Sequence, residues 1–202
     1  CARGSGPARG MGESGGRNGA SVSRHASMAD AAIGVRRSAF GLAGQKCSAC
    51  SRVYVERDVH DDFVEALRAA TANVRVGDPT RQEHWMGPVV DAAAVARFED
   101  AAAQVRALGA GGAIVHGGER LATGDLAHGY YCAPTIANAP LAHPLWRAEL
   151  FAPFVLVAPV KSFDEALALA NASEYGLTAG FYGAPDETER FFETIEAGVC
   201  YA

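Results

Sequence analysis

Apolar residues recur along this chain with two alternating periods. Between residues 58 and 74, Phe63, Leu67 and Val74 fall on one helical stripe while Asp61, Glu65 and Arg68 lie off it, which predicts an amphipathic helix. A second long helix is predicted from about residue 91 to 108, ended by Gly109, Gly111 and Gly112. An earlier helix is predicted over 27–42, with Ser27 as its N-cap and Ile33, Arg37 and Phe40 at helical spacings. Residues 164–172 and 186–195 read as shorter helices. Strands are predicted at Val53-Tyr54-Val55, at Ala113-Ile114-Val115, over 177–182 and over 199–201, with 130–136 extended. The solid apolar run 154–160 suits a strand covered on both faces. Gly77-Asp78-Pro79 reads as a turn and 117–129 as a glycine-containing loop. Residues 1–24, rich in Gly, Arg and Ser without a period, read as a loop or frayed end. Strands alternating with helices predict an α/β domain with a mostly parallel sheet covered by helices. No internal repeat is visible. The last residues fall inside an apparent strand, which leads us to expect that part of the domain lies beyond them.

Composition narrows the function classes. The 202 residues suffice for one large domain or two small ones, and 49% hydrophobic content supports a sizeable core. A net charge of −5 gives no basic face for nucleic acid. No apolar stretch approaches the roughly 18 residues of a membrane span, and the first residues lack the apolar run of a secretory signal. Five cysteines, an odd number, argue against a disulfide framework and for a reducing, cytoplasm-like compartment.

Candidate chemistry concentrates in Gly44-Gln45-Lys46-Cys47-Ser48-Ala49-Cys50. A reactive cysteine must be a thiolate, favoured by a nearby cation such as Lys46. Cys47 and Cys50 admit other readings. Half of a zinc site lacks a second Cys or His pair, so no metal is expected. A thioredoxin-like redox pair should open a helix after a strand, whereas here helix precedes and strand follows. Two small core residues are the plain alternative, and spacing alone leaves these open. Two further segments change the balance. Glu13 stands in the glycine-rich stretch Met11-Gly12-Glu13-Ser14-Gly15-Gly16-Arg17-Asn18, 34 residues before Cys47. Glu149-Leu150-Phe151-Ala152-Pro153-Phe154 places a Glu two residues before a Phe, just ahead of the buried strand.

In order and spacing, Glu13-Ser14-Gly15-Gly16-Arg17, Gly44-Gln45-Lys46-Cys47 and Glu149-Leu150-Phe151-Ala152-Pro153 together resemble the aldehyde dehydrogenase superfamily from about residue 11 to the end. Arg17 stands where that family usually has Lys, and Ala152 where it usually has Gly. Residues 1–10 stay unassigned, and 11–202 are expected to be one catalytic domain. The stretch from Phe40 to Arg52 is most similar to the 1-pyrroline-5-carboxylate dehydrogenases, which oxidise glutamate semialdehyde to glutamate in proline breakdown.

The resemblance implies that Cys47 is the nucleophile and Glu13 the general base of thioester hydrolysis. It implies that Glu149 and Phe151 contact the nicotinamide end of NAD or NADP, and that Ser48 contacts the substrate carboxylate. It also implies a Rossmann-like partner domain largely absent from these residues, a homo-oligomeric full-length enzyme, and an isolated chain that is catalytically silent. Two alternatives come from other classes: a non-catalytic relative on the same fold, and a thiol–disulfide oxidoreductase using Cys47 and Cys50. An aldehyde dehydrogenase of another substrate class is a third.

Overall fold

The computed structural model describes residues 15–202. In chain order the elements are β1 (Asn18–Val22), α1 (Met28–Phe40), β2 (Cys50–Glu56), α2 (His60–Ala72), α3 (Ala92–Ala107), β3 (Ala113–His116), β4 (Arg120–Leu121) and β5 (Tyr131–Cys132). There follow β6 (Thr135–Asn138), β7 (Phe154–Val160), α4 (Phe163–Asn171), β8 (Thr178–Tyr182), α5 (Pro185–Thr194) and β9 (Val199–Tyr201). Seven strands form one sheet in the order β3-β6-β7-β2-β1-β8-β9. Every neighbouring pair is parallel except β3–β6 at one edge. The expected α/β architecture is therefore present. No helix among the described residues is long and apolar enough to cross a membrane.

Local chemistry explains the boundaries. The Ser27 side chain accepts from the Asp30 N–H and starts α1, and the Asp91 carboxylate accepts from the Ala94 N–H at 2.8 Å and starts α3. In α2, Phe63 and Leu67 are fully buried as the stripe predicts, with Val74 packed at the rim. The stripe expected for α1 is rotated. Ala31, Ala32, Val35 and Ala39 face the core with Phe40, whereas Ile33 and Arg37 are exposed. Alanines let this helix lie close to the sheet, and a rule that counts only large apolar residues misses that face.

Two further expectations are corrected. The loop read into residues 1–24 gives way at Asn18: Asn18-Gly19-Ala20-Ser21-Val22 is a strand at the heart of the sheet, between β2 and β8, with every residue buried. Covered on both faces, it has no alternation of polar and apolar positions to betray it. Within the loop expected over 117–129, β4 pairs antiparallel with β5. Two residues are too short for a period to register.

Helices cover both faces. Along β8, Phe181 stacks on Phe191 at 5.3 Å and meets Phe163 at 4.8 Å, while the next residue, Tyr182, presses its hydroxyl against Gly34 of α1. Successive strand side chains point to opposite faces. So α1 lies on one face and α4 and α5 on the other.

Candidate active site

After α1 the chain reverses sharply. Leu42 and Ala43 both have φ of 54° and Gly44 has φ of 69°, three consecutive left-handed residues. For Leu and Ala that conformation costs roughly 1–2 kcal/mol each, so the surroundings must enforce it. The Gln45 carboxamide does much of this. Its Nε2 donates to the Leu42 and Pro88 carbonyls at 3.3 and 3.4 Å, and its Oε1 accepts from the Val90 N–H at 2.8 Å. Gly44 is also needed sterically, because a Cβ there would overlap the Ala152 carbonyl. The Gly-Gln pair thus ties the loop to two distant segments, 88–90 and 152.

The loop then presents Cys47. The Ala49 N–H donates to the Lys46 carbonyl at 3.0 Å, closing a turn with Cys47 and Ser48 at its centre. Cys47 is exposed at this tip. Cys50 opens β2, is buried, and its thiol is pushed up to about 11 by that burial. Such a thiol is a poor nucleophile and a poor resolving partner. The order of helix, turn and strand differs from that of a thioredoxin-like pair, as the sequence suggests. No group of three His, Cys, Asp or Glu side chains suited to a metal occurs among the described residues.

Glu149 reaches the same place from the far side. The Gly16 N–H donates to its Oε1 at 2.7 Å. A Cβ on Gly16 would overlap the Cys47 carbonyl, and one on Gly15 would overlap the Glu149 carboxylate. Gly15 and Gly16 are therefore the seam where the cysteine loop and Glu149 meet. Phe151, with φ of 52° and 39% exposed, lines one cleft with Gly16, Gly44, Lys46 and Glu149. Glu13 lies outside the described residues.

Arg17, the next residue, is fully buried. Its guanidinium donates to the Trp146 carbonyl at 3.2 Å and to the Leu145 carbonyl. Burial first, and Arg52 beside it second, lower its pKa to about 10, so it stays charged at neutral pH. It anchors the chain just before Glu149 to the start of β1. Arg17→Met leaves two buried carbonyls without donors at about 1–3 kcal/mol each, which should lower the melting temperature of the full-length protein by about 2–5 °C. An unchanged melting curve would remove this anchoring role.

Beside the cysteine turn, a cavity of about 370 Å³ opens between α1 and strands β1 and β8. Its polar lining includes Arg37, Ser38, Lys46, Ser48, Thr178 and Tyr182, and among the described residues no carboxylate lines it. Ser48, which the resemblance implies as a substrate contact, is one of the lining residues, and Cys47 is not. From the sequence Arg37 reads only as a position on the helical stripe over 27–42, since a lone Arg on a helix carries no signal of a cavity.

Three stretches far apart in sequence converge here with an exposed thiol between them. Over residues 6–202 the chain matches the model of the aldehyde dehydrogenase family. The chain belongs to that family. It is 39% identical over 167 residues to 1-pyrroline-5-carboxylate dehydrogenase 1 of Halalkalibacterium halodurans, covering 82% of this chain and 31% of that relative. It is 38% identical over 191 residues to 1-pyrroline-5-carboxylate dehydrogenase of Bacillus mycoides, covering 94% of this chain and 36% of that relative. Among solved structures, the Thermus 1-pyrroline-5-carboxylate dehydrogenase with bound NAD superposes with a TM-score of 0.85 at 33% identity, covering 94% of this chain and 36% of that one. Betaine aldehyde dehydrogenase of Staphylococcus aureus in complex with NAD+ superposes at 0.87 with 27% identity, covering 93% of this chain and 37% of that one. The chain therefore spans about a third of the length of the family members it matches.

Proposed function

We propose that this chain carries the nucleophile-bearing part of an NAD(P)-dependent aldehyde dehydrogenase that oxidises L-glutamate 5-semialdehyde to glutamate. The observation that carries the reading is the seam at Gly16, which touches the Cys47 carbonyl and the Glu149 carboxylate at once. A nucleophile and a cofactor-binding carboxylate must share one site for hydride to leave the atom the thiol has attacked.

The residues suit a dinucleotide's nicotinamide end. The Gly16 N–H fixes one oxygen of Glu149, leaving the other oxygen for ribose hydroxyls, and the exposed Phe151 ring offers an apolar face beside it. When bound, NAD or NADP accepts a hydride. The remaining chemistry falls to this chain. The Cys47 thiolate adds to the aldehyde carbon and forms a thiohemiacetal. Because the Lys46 carbonyl points into its turn, the Cys47 N–H of the same trans peptide points out of it, available to the developing oxyanion. Loss of hydride leaves a thioester on Cys47, which water activated by Glu13 hydrolyses, freeing the acid and the thiol.

The substrate reading has two supports. The two sequence relatives named above are pyrroline-carboxylate dehydrogenases, and the cavity beside the turn carries Arg37, Lys46 and Ser48 with no acid lining it among the described residues. Such a lining favours an aldehyde bearing a carboxylate. Assays of the full-length enzyme should give glutamate semialdehyde a kcat/KM at least about tenfold above a neutral aldehyde of similar length. A preference for neutral or cationic aldehydes would sink the substrate assignment and leave the aldehyde oxidation standing.

Glu13 and Cys47 should separate kinetically. If Glu13 serves deacylation, Glu13→Gln should still release a burst of reduced cofactor in stopped flow and then turn over about 100-fold or more slowly. Undiminished steady-state turnover would take Glu13 out of the mechanism.

A further inference from the structure

Asn18 opens β1 and is 4% exposed, yet its carboxamide serves other segments of the chain. Its Nδ2 donates to the carbonyls of Cys47 at 2.7 Å and Ala49 at 3.0 Å. Its Oδ1 accepts at 2.9 Å from the N–H of Thr178, the first residue of β8. The Thr178 hydroxyl reaches the Ser48 carbonyl at 3.4 Å. Three consecutive carbonyls of the cysteine turn are thus held by two side chains at the starts of neighbouring strands.

The geometry of the turn shows what this can do. The bond from Ala49 N–H to Lys46 carbonyl fixes the two ends and leaves the central Cys47–Ser48 peptide free to rotate. Rotation of a central turn peptide by about 180° interconverts the two commonest turn types. Serine at the third turn position disfavours that rotation sterically without forbidding it. A rotated peptide would present the Cys47 carbonyl where the Ser48 N–H now points, changing the field at the thiol and the direction of its side chain. The Asn18 bond to the Cys47 carbonyl opposes this rotation. Gly16 makes room for it, since a Cβ there would crowd the Asn18 amide as well as the Cys47 carbonyl. Asn is a poor strand former, and its buried amide is fully used by the turn and β8.

We infer that Asn18 is a positioning residue that fixes the orientation of the nucleophile turn, an inference that rests on the proposed role of Cys47. The test uses the full-length enzyme with Asn18→Ala and Asn18→Asp. The Asp variant keeps the size and the acceptor for Thr178 but removes both donors near neutral pH. Each variant is followed by iodoacetamide alkylation of Cys47 across pH and by separate kcat and KM values. A misplaced nucleophile should lower kcat by roughly 100-fold with KM for the cofactor within about twofold of wild type. The alkylation rate of Cys47 should change by about fivefold or more, with a displaced pH profile. Folded variants with wild-type alkylation and kcat would overturn the inference. So would activity that returns in full well below the melting temperature, or a failure of both variants to fold, since either assigns Asn18 to the fold alone. A wild-type enzyme that alkylates at Cys47 but oxidises no aldehyde would sink the proposed reaction, and the alkylation contrast would still judge the role of Asn18.

Discussion

Cys47→Ser or Cys47→Ala in the full-length enzyme should abolish aldehyde oxidation, a loss of about 10³-fold or more, because no other group can form the thioester. Cys50→Ala should leave most of the activity. The two thiols are three residues apart but occupy opposite environments. Cys47 is exposed at the tip of a tight turn, whereas Cys50 is enclosed in the first position of β2, its Sγ donating to the Arg52 carbonyl at 3.5 Å. Burial keeps the Cys50 thiol protonated at neutral pH. Its truncation costs a small packing defect, about 1 kcal/mol, and no chemistry. Steady-state rates of the two variants decide the matter. Equal losses would mean that the cysteines act as a pair, and the thiol–disulfide reading would return.

The second large effect is expected at a residue with no side chain. Gly16→Ala places a methyl group on the Cys47 carbonyl, a backbone atom that cannot swing aside. Either the cysteine turn shifts or β1 does. Overpacking of this kind costs about 2–3 kcal/mol, and a nucleophile displaced by about 1 Å loses on the order of 100-fold in rate. Gly19→Ala is the matched control three residues along. A Cβ there would sit 3.6 Å from the Tyr54 ring and 3.9 Å from Ala170, ordinary packing distances. It should be neutral or slightly stabilising, with full activity. Thermal melting and kcat measured on both variants test the contrast. Similar behaviour of the two would mean that the Gly16 seam is not the rigid junction described above.

Arg17 and Ala152, the two departures from the family's pattern, are both accommodated. Arg17 uses two nitrogens where a lysine would offer one, reaching two adjacent carbonyls. Ala152 is buried, and the neighbouring left-handed φ falls on Phe151 instead.

Legibility followed the physics of each segment. Helix α2 and strand β7 were readable because one has a polar face turned to water and the other is uniformly apolar. The segment at Cys47 could be singled out because a lysine and small residues flank a thiol, and its expected role as nucleophile came from the resemblance carried by three spaced motifs. Strand β1 was hidden, since Asn18-Gly19-Ala20-Ser21-Val22 carries one large apolar residue in five. Gln45 was quoted as part of a motif, but its contacts to Leu42, Pro88 and Val90 were invisible.

The sequence by itself determined the alternation of helices and strands, the family, and the residue types that reaction chemistry needs, for those depend on local periodicity and on motifs a few residues long. Only the tertiary structure decided that β1 lies at the centre of the sheet, that Gly16 is the seam between Cys47 and Glu149, and that the Asn18 amide bonds the turn that contains Cys47. Those are contacts across 29 to 160 residues of chain, made by small or polar groups whose role comes from what packs against them and leaves no period to read.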